Sequence, residues 1–364
     1  MSGNYRIAIF GGDGIGPEVV AEGLKVLDAA EKRFGFTTTR KSYPYGAQHY
    51  LKTCEKGPDG KIVREGETLP DGVLDEVRTF QAVLLGAIGF PGPPPGKLER
   101  AIVGALRWEL DLYANIRPVR LYHERLTPLK NKGPADIDMI VVRENTEDLY
   151  VGMGGVFKKG TPDEVAIGEM IVTRKGTERI IRHAFELART RKRKKLTLVD
   201  KANAVAAHEL WRRTFAEVAR EYPDVTTDAL YVDAAAMFMI KEPERFDVMV
   251  TTNMFGDILT DLGAMLQGGM GAAASANIHP GQVSLFEPIH GSAPDIAGKG
   301  IANPTATALA VGLMLEFLGE VQAGQSIETV VRELLADGRL PGLGSDTGLS
   351  TGAIGDLIAG AVGA

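Results

Sequence analysis

Residues 248–269 read VMVTTNMFGDILTDLGAMLQGG. The apolar run 248–250 predicts a short buried strand, and the pattern from 257 to 267 predicts a helix. Asp257 and Asp261 stand four residues apart, so a helix puts both carboxylates on one face, just beyond a strand's carboxyl end. Open α/β sheets bind their ligands at that end. From Phe246 to Gly298 the chain has no Lys or Arg, a gap of 53 residues. Two acids one turn apart repel each other, and no nearby residue in the sequence offers a positive charge. A divalent metal is one candidate counter-ion. A solvated helix face carrying two acids is the plainer account of the pair taken alone.

The same strand-then-helix alternation extends in both directions. Residues 6–10 (RIAIF) predict a first strand, 11–16 (GGDGIG) a tight turn, and Pro17-Glu18 the start of a helix to about 34. The turn lacks the dinucleotide-binding fingerprint, because Pro17 occupies its third small-residue position. A second near-match at 269–274 follows a helix rather than a strand, and is rejected too. Further strands are predicted at 82–86, 116–121, 139–143, 196–200, 228–232 and 246–252, and helices at 98–112, 177–189, 203–221, 257–267, 304–318 and 326–336. Residues 53–72 and 89–96 (GFPGPPPG) read as loops, 268–303 as loop-rich, and the C-terminal end as Gly-rich. The basic run 191–195 (RKRKK) has no interleaved aromatics and reads as a solvated helix end. The alternation predicts an α/β protein with mainly parallel sheets flanked by helices, outside the Rossmann type.

With 364 residues, 44% hydrophobic and 24% charged, the chain is long enough for about two domains. A net charge of −6 argues against nucleic acid or an acidic membrane as partner. A single cysteine, Cys54, excludes an intramolecular disulfide and fits a reducing, cytoplasmic setting. No leader pattern is expected at the N-terminus, and no apolar run reaches bilayer-spanning length.

Several polar residues fall where predicted strands or helices are apolar. Arg107, Arg117 and Arg143 need anionic partners there, either the chain's own acids or a carboxylate substrate gripped bidentately. Lys201 directly follows strand 196–200, a place where a lysine can serve as a base or lie on the surface. Tyr150 reads as a proton donor or as half-buried packing. Asp233 reads as the end of strand 228–232, a third carboxylate with no basic neighbour before Lys241.

Five stretches together resemble the isocitrate/isopropylmalate dehydrogenase family, the β-decarboxylating dehydrogenases. They are 111–118 (DLYANIRP), 142–150 (VRENTEDLY), 199–203 (VDKAN), 251–261 (TTNMFGDILTD) and 287–304 (EPIHGSAPDIAGKGIANP). The resemblance covers nearly the whole chain. It implies a two-domain isopropylmalate-dehydrogenase-like fold, with a large cofactor domain formed by about 1–110 and 268–364. A central domain, 111–267, would carry substrate, metal and the homodimer contact. It implies Tyr150 and Lys201 as the catalytic pair, and Arg107, Arg117 and Arg143 on the substrate carboxylates. Asp257 and Asp261 would bind Mg²⁺ or Mn²⁺ from one subunit, with Asp233 and Lys201 arriving from the partner. His290, Gly291, Ser292, Ala293, Asp295, Ile296 and Asn303 match the adenosine loop. The acid at Asp295 falls where NAD-dependent members accept from the ribose 2′-hydroxyl, so NAD is expected rather than NADP.

The expected reaction is oxidation and decarboxylation of a 3-substituted malate. Specificity resides on the helix before Arg107, whose face here carries Arg100, Val103, Gly104 and Arg107. Isocitrate enzymes place a Ser and an Asn in this region, where Ala101 and Val103 stand, and Val103 suits an alkyl group. Isopropylmalate enzymes commonly carry a Glu near Arg100 and Leu residues near Val103. The 143–147 RENTE stretch is nearer the isocitrate and homoisocitrate members, and 200–203 DKAN nearer the isopropylmalate members. The reading favours 3-isopropylmalate, and hence leucine biosynthesis. Homoisocitrate or isocitrate, tartrate or D-malate, and a rarer 3-substituted malate are the alternatives. A non-catalytic regulatory subunit would have lost the tyrosine, the lysine or an aspartate, and all are present.

Overall fold

The computed structural model describes residues 3–364, which form two compact units. The first comprises the described residues up to Leu112, Leu121–Pro128 and Gln267–Ala364; the second comprises Tyr113–Arg120 and Leu129–Leu266. Both are α/β units.

In the first unit the strands lie in the order Ala274–Ile278, Ser284–Pro288, Ala82–Ala87, Asn4–Gly12, Thr37–Tyr43. Neighbours run parallel except the first two, which are antiparallel. Ile7, Ala8, Phe10, Val83, Leu84 and Leu85 are buried, as continuous apolar runs in a sheet covered on both faces should be. The helix Gly16–Phe34 ends at Gly35, whose φ of 78° needs a residue without a Cβ. Gly86 is required for a different reason: a Cβ there would lie 2.4 Å from the carbonyl oxygen of Gly11. The strand therefore passes directly under the glycine-rich turn.

In the second unit the order is Thr226–Tyr231, Lys195–Asp200, Val248–Thr251, Asp138–Glu144, Ala114–Arg120. All neighbours are parallel except the last pair. Helices Arg174–Thr190, Glu209–Ala219, Val232–Lys241 and Asn253–Leu266 belong to this unit. Among the described residues, no helix is long and apolar enough to cross a membrane.

The structure departs from the sequence reading in several places. Residues 121–128, expected in the central domain, belong to the first unit, where the Arg125 guanidinium donates to the carbonyls of Leu335 (2.5 Å) and Leu340 (3.1 Å). The expected helix 98–112 is a π-helical turn, Glu99–Gly104, running into a short α-helix, Ala105–Glu109. Gly104 admits the Trp108 ring so closely that a Cβ would sit 2.6 Å from it. The loop-rich segment holds the strands Ala274–Ile278, hidden by small residues of low strand propensity, and Ser284–Pro288, a short apolar run closed by a proline. The Gly-rich end is a helix, Thr351–Gly363, started by the Ser350 side chain accepting from the Ala353 N–H (3.1 Å). Its glycines let it lie close to Gly16–Phe34: a Cβ on Gly355 would meet the Glu22 side chain. The basic run is not simply solvated. Arg191 pairs with the buried Asp247 at 2.8 Å, and Arg193 donates to the carbonyl of Glu244 at 2.6 Å. A buried carboxylate demands such partners, and here they tie down the starts of the strands.

Candidate active site

The helix Asn253–Leu266 starts two residues after the strand Val248–Thr251. Its start is held by side chains from the 143–148 segment. Asp148 Oδ2 accepts the Met254 N–H (2.9 Å), and Asn253 donates to the carbonyl of Glu147 (3.1 Å). Asn253 Oδ1 in turn accepts from Arg143 Nε (3.0 Å) and Nη2 (2.7 Å). Arg143 is 1% exposed and crosses the helix where a Cβ on Gly256 would lie 2.5 Å from its Cγ. Glycine at 256 is what admits the guanidinium.

Asp257 is the meeting point. Arg143 Nη1 donates to its Oδ1, Arg117 Nη1 lies 3.5 Å from the same oxygen, and the Tyr150 hydroxyl donates to Oδ2 at 2.8 Å. Arg117 is also held by Asn115 and Thr260, each at 2.7 Å. The acid pair thus has cations after all, brought by the strands Asp138–Glu144 and Ala114–Arg120 from more than a hundred residues away in sequence. Tyr150 is 41% exposed, and its pKa is pushed up to about 12 by partial burial and by its bond to Asp257. Asp261, one turn on, has its pKa raised by burial and then by the negative charge of Asp257. The turn that delivers Tyr150 is shaped by Glu144, which accepts the N–H groups of Thr146 and Glu147, both at 2.8 Å. Burial raises the Glu144 carboxyl to about 7.

Lys201 and Asp233 form a second group. Lys201 follows the strand Lys195–Asp200, and its Nζ donates to Asp233 Oδ1 at 2.6 Å. That bond holds the Asp233 carboxyl below the usual range. Asp233 does not end a strand as its sequence neighbours suggest. It lies in the first turn of the helix Val232–Lys241, because the strand before it already stops at Tyr231. Among the described residues, no three His, Cys, Asp or Glu side chains come together to hold a metal. Asp257 with Asp261, and Asp233, are separate carboxylate groups within the chain.

The remaining predicted residues belong to the first unit. Arg107 donates to Glu287 Oε1 at 2.9 Å, and the same oxygen accepts from Asn277 at 2.8 Å. Arg107 Nε is buried without a partner. Val103 is half-buried and packs against the core around Ile102 and Leu106, so only part of it is available to line a pocket. Arg100 lies 6.0 Å from the Trp108 ring.

The 290–303 segment is shaped mainly by its backbone. Ser292 is buried, and its carbonyl accepts the Ile15 N–H at 2.9 Å. Ala293 has a φ of 39°, and Ile296 packs on Ile15, Val19 and Ala302. Gly291 has open space where a Cβ would stand, and Asp295 is exposed. His290 is kept neutral by burial, and its Nε2 has no partner. Asn303 caps Thr305 with its oxygen (3.1 Å) and donates to the carbonyls of Gly342 (3.2 Å) and Gly344 (3.3 Å). In the glycine-rich turn 11–16, Asp13, Ile15 and Gly16 spend their N–H groups on the carbonyls of Ala87, Ser292 and Asp13. That turn braces the 290s loop and has few donors left for a phosphate.

Sequence reasoning missed Asn253, Asp148, Glu287, Asn115 and Thr260. Each is a buried polar group in an apolar setting, which was the available signal.

The profile of the isocitrate/isopropylmalate dehydrogenase family matches residues 6–358. The 3-isopropylmalate dehydrogenase of Thermobifida fusca is 53% identical over 335 residues, 91% of each chain. That of Streptomyces coelicolor is 48% identical over 363 residues, 99% of each chain. The crystal structure of isocitrate dehydrogenase from Methylococcus capsulatus superposes with a TM-score of 0.85 at 40% identity, covering 99% of this chain and all of the other. The chain belongs to the isocitrate/isopropylmalate dehydrogenase family and is a β-decarboxylating dehydrogenase.

Proposed function

We propose that the chain oxidises and decarboxylates a 3-substituted malate, 3-isopropylmalate, to 4-methyl-2-oxopentanoate and CO₂. The cofactors are NAD and Mg²⁺ or Mn²⁺, and the setting is cytoplasmic leucine biosynthesis. The observation that carries this reading is the grip of Arg143, Arg117 and Tyr150 on Asp257. Two guanidiniums and a hydroxyl converging on one carboxylate would grip a substrate carboxylate equally well. A substrate that takes over the arginines frees Asp257 for a cation. About half of the residues are shared with relatives named 3-isopropylmalate dehydrogenase, which favours that substrate over isocitrate.

A divalent cation suits Asp257 and Asp261, hard oxygen donors one turn apart whose repulsion a cation relieves. NAD suits a loop with an open Gly291, an unpartnered His290 Nε2 and the exposed carboxylate of Asp295. When bound, the cation supplies Lewis-acid polarisation at the substrate C2 oxygen and NAD the hydride acceptor. Lys201 takes the C2 hydroxyl proton. After hydride leaves C2, the C3–carboxyl bond breaks, CO₂ departs and the bonding pair moves toward the C2 carbonyl. Tyr150, protonated across the neutral range, delivers its proton to C3. Arg107, Arg117 and Arg143 hold the carboxylates so that these transfers start from one geometry.

A homodimer completes each site: Asp233 and Lys201 of one copy join Asp257 and Asp261 of the other. Exposed apolar side chains support this reading. Met237 (72% exposed) and Ile240 lie on the helix Val232–Lys241, and Ile258 and Met265 on Asn253–Leu266. Val156, Phe157, Val165 and Ile167 stand on an exposed hairpin of the same unit. Such surface is costly to leave in water.

The test is kcat/KM for 3-isopropylmalate, isocitrate, homoisocitrate, D-malate and tartrate, each with NAD and NADP. The reading expects 3-isopropylmalate with NAD to lead, and a lead by any other acid would replace the substrate. Asp295→Lys should raise the NADP-to-NAD preference ratio by roughly tenfold or more, since removing an acid and adding a base both favour the 2′-phosphate. An unchanged ratio would refute the role given to Asp295.

A further inference from the structure

A strand that stops at Asp200 leaves the next backbone N–H groups without ladder partners. Side chains take both. Asp200, fully buried, accepts the Ala202 N–H at 2.7 Å and pairs with Arg212. His208, also fully buried, accepts the Lys201 N–H on Nδ1 at 3.0 Å. The carbonyl of Lys201 is bound as well, by the N–H groups of Ala204 (3.0 Å) and Val205 (2.8 Å). Every backbone polar group of the lysine is thereby fixed, and only its side chain is left to choose a direction.

The imidazole reaches further. Its ring stands edge-to-face on Phe255 at 5.4 Å, and Phe255 lies two residues before Asp257 on the helix Asn253–Leu266. The ring therefore joins the Lys201 turn to that helix. Accepting on Nδ1 puts the ring proton on Nε2, which is buried without a partner. Burial keeps the ring neutral, against the pull of Asp148 and Asp200. A buried imidazole with one ring nitrogen unsatisfied is a poor choice for filling space. It is a good choice where one acceptor must sit at one point.

We propose that His208 is a positioning residue for Lys201: its Nδ1 fixes the lysine backbone and, with Asp200, sets where Nζ points. This rests on the reading of Lys201 as the group that takes the substrate proton. A lysine side chain has four rotatable bonds, so a small shift of its Cα is amplified at Nζ, and misplacing a reacting group by about 1 Å can cost a hundredfold in rate.

The test compares His208→Asn, His208→Gln and Lys201→Met in the full-length enzyme with 3-isopropylmalate, NAD and Mg²⁺. Asparagine can put an acceptor near the place of Nδ1, and glutamine puts its polar atoms near Nε2. The expected result is that Asn recovers most of kcat, while Gln lowers kcat by about tenfold or more with KM nearly unchanged. Rates are taken per folded molecule, with melting curves for each variant. Equal kcat for the Asn and Gln variants, or a loss confined to KM or to melting temperature, overturns the proposal. Lys201→Met separates the two readings. If it is inactive while Asn and Gln behave alike, only the role of His208 falls. If it turns over normally, the reading of Lys201 falls, and the positioning role with it.

Discussion

The two carboxylate groups of the second unit are built in opposite ways. Asp257 sits among braced partners: Arg143 is almost wholly buried, Arg117 is 7% exposed, and Asn253, Asn115 and Thr260 lock both guanidiniums. Asp233 has one strong partner, Lys201, and lies on the exposed first turn of a helix. The first arrangement is held from several sides by hydrogen bonds. The second pair is left reaching outward. One carboxylate is thus fixed from several sides by buried partners, and the other is presented on the surface, the pairing that the proposed joining of two copies requires.

The largest effect is expected at the Asp257 group. Arg143→Met leaves the buried Asn253 side chain and the half-exposed Asp257 carboxylate without their main donor. Stability should fall by about 2–3 kcal/mol, chiefly from the unpaired buried Asn253 acceptor, and kcat/KM by roughly a thousandfold. Denaturation curves and steady-state rates check both. Tyr150→Phe removes only an exposed hydroxyl. It should lower kcat by about 10²–10⁴-fold at nearly unchanged melting temperature. A matching loss of stability would make Tyr150 a structural residue instead.

Gly256→Ala sharpens the same point with one methyl group. Its Cβ would clash with the side chain of Arg143, so a stability loss of about 1–3 kcal/mol is expected, together with weaker substrate binding. A neutral result would mean that Arg143 moves freely, against its burial.

The smallest effect concerns Asp261. Its folded pKa lies above its ordinary value, from burial and from Asp257. The contribution to apo stability is therefore fully present below the unfolded pKa and lost as pH rises through the folded one. A divalent cation should reverse this trend, raising the melting temperature more as pH rises through the carboxylate range, because protons and cation compete for the same oxygens. EDTA should restore the apo profile and abolish turnover. A melting temperature indifferent to Mg²⁺ and Mn²⁺ at neutral pH would count against the cation site.

Much of this was legible in the sequence, for identifiable reasons. The strand at 248–251 and the acids of the following helix declare themselves through a short apolar run and an i,i+4 spacing. The strands at 274–278 and 284–288 did not: the first is mostly alanine, serine and asparagine, which carry little strand preference, and the second is a short apolar run closed by Glu287-Pro288 in a Gly- and Pro-rich stretch. The helix 351–363 was hidden by glycines that serve close packing against Gly16–Phe34. The charge balance of Asp257 was misread locally, because its cations come from strands distant in sequence and only folding brings them in. Asn253 and His208 looked unremarkable until their partners, an arginine side chain and a lysine backbone, could be seen.

The claim that each active site is completed by a second copy is tested most directly by mixing two inactive variants, Asp257→Asn and Lys201→Met, under subunit exchange. In a mixed dimer one site receives both defects and the other receives neither. Turnover should recover to roughly a quarter of the unmodified enzyme, since half of randomly paired dimers are mixed and each has one intact site. No recovery, with mixed dimers demonstrated by mass, would mean that each chain holds its own complete site and would contradict the account.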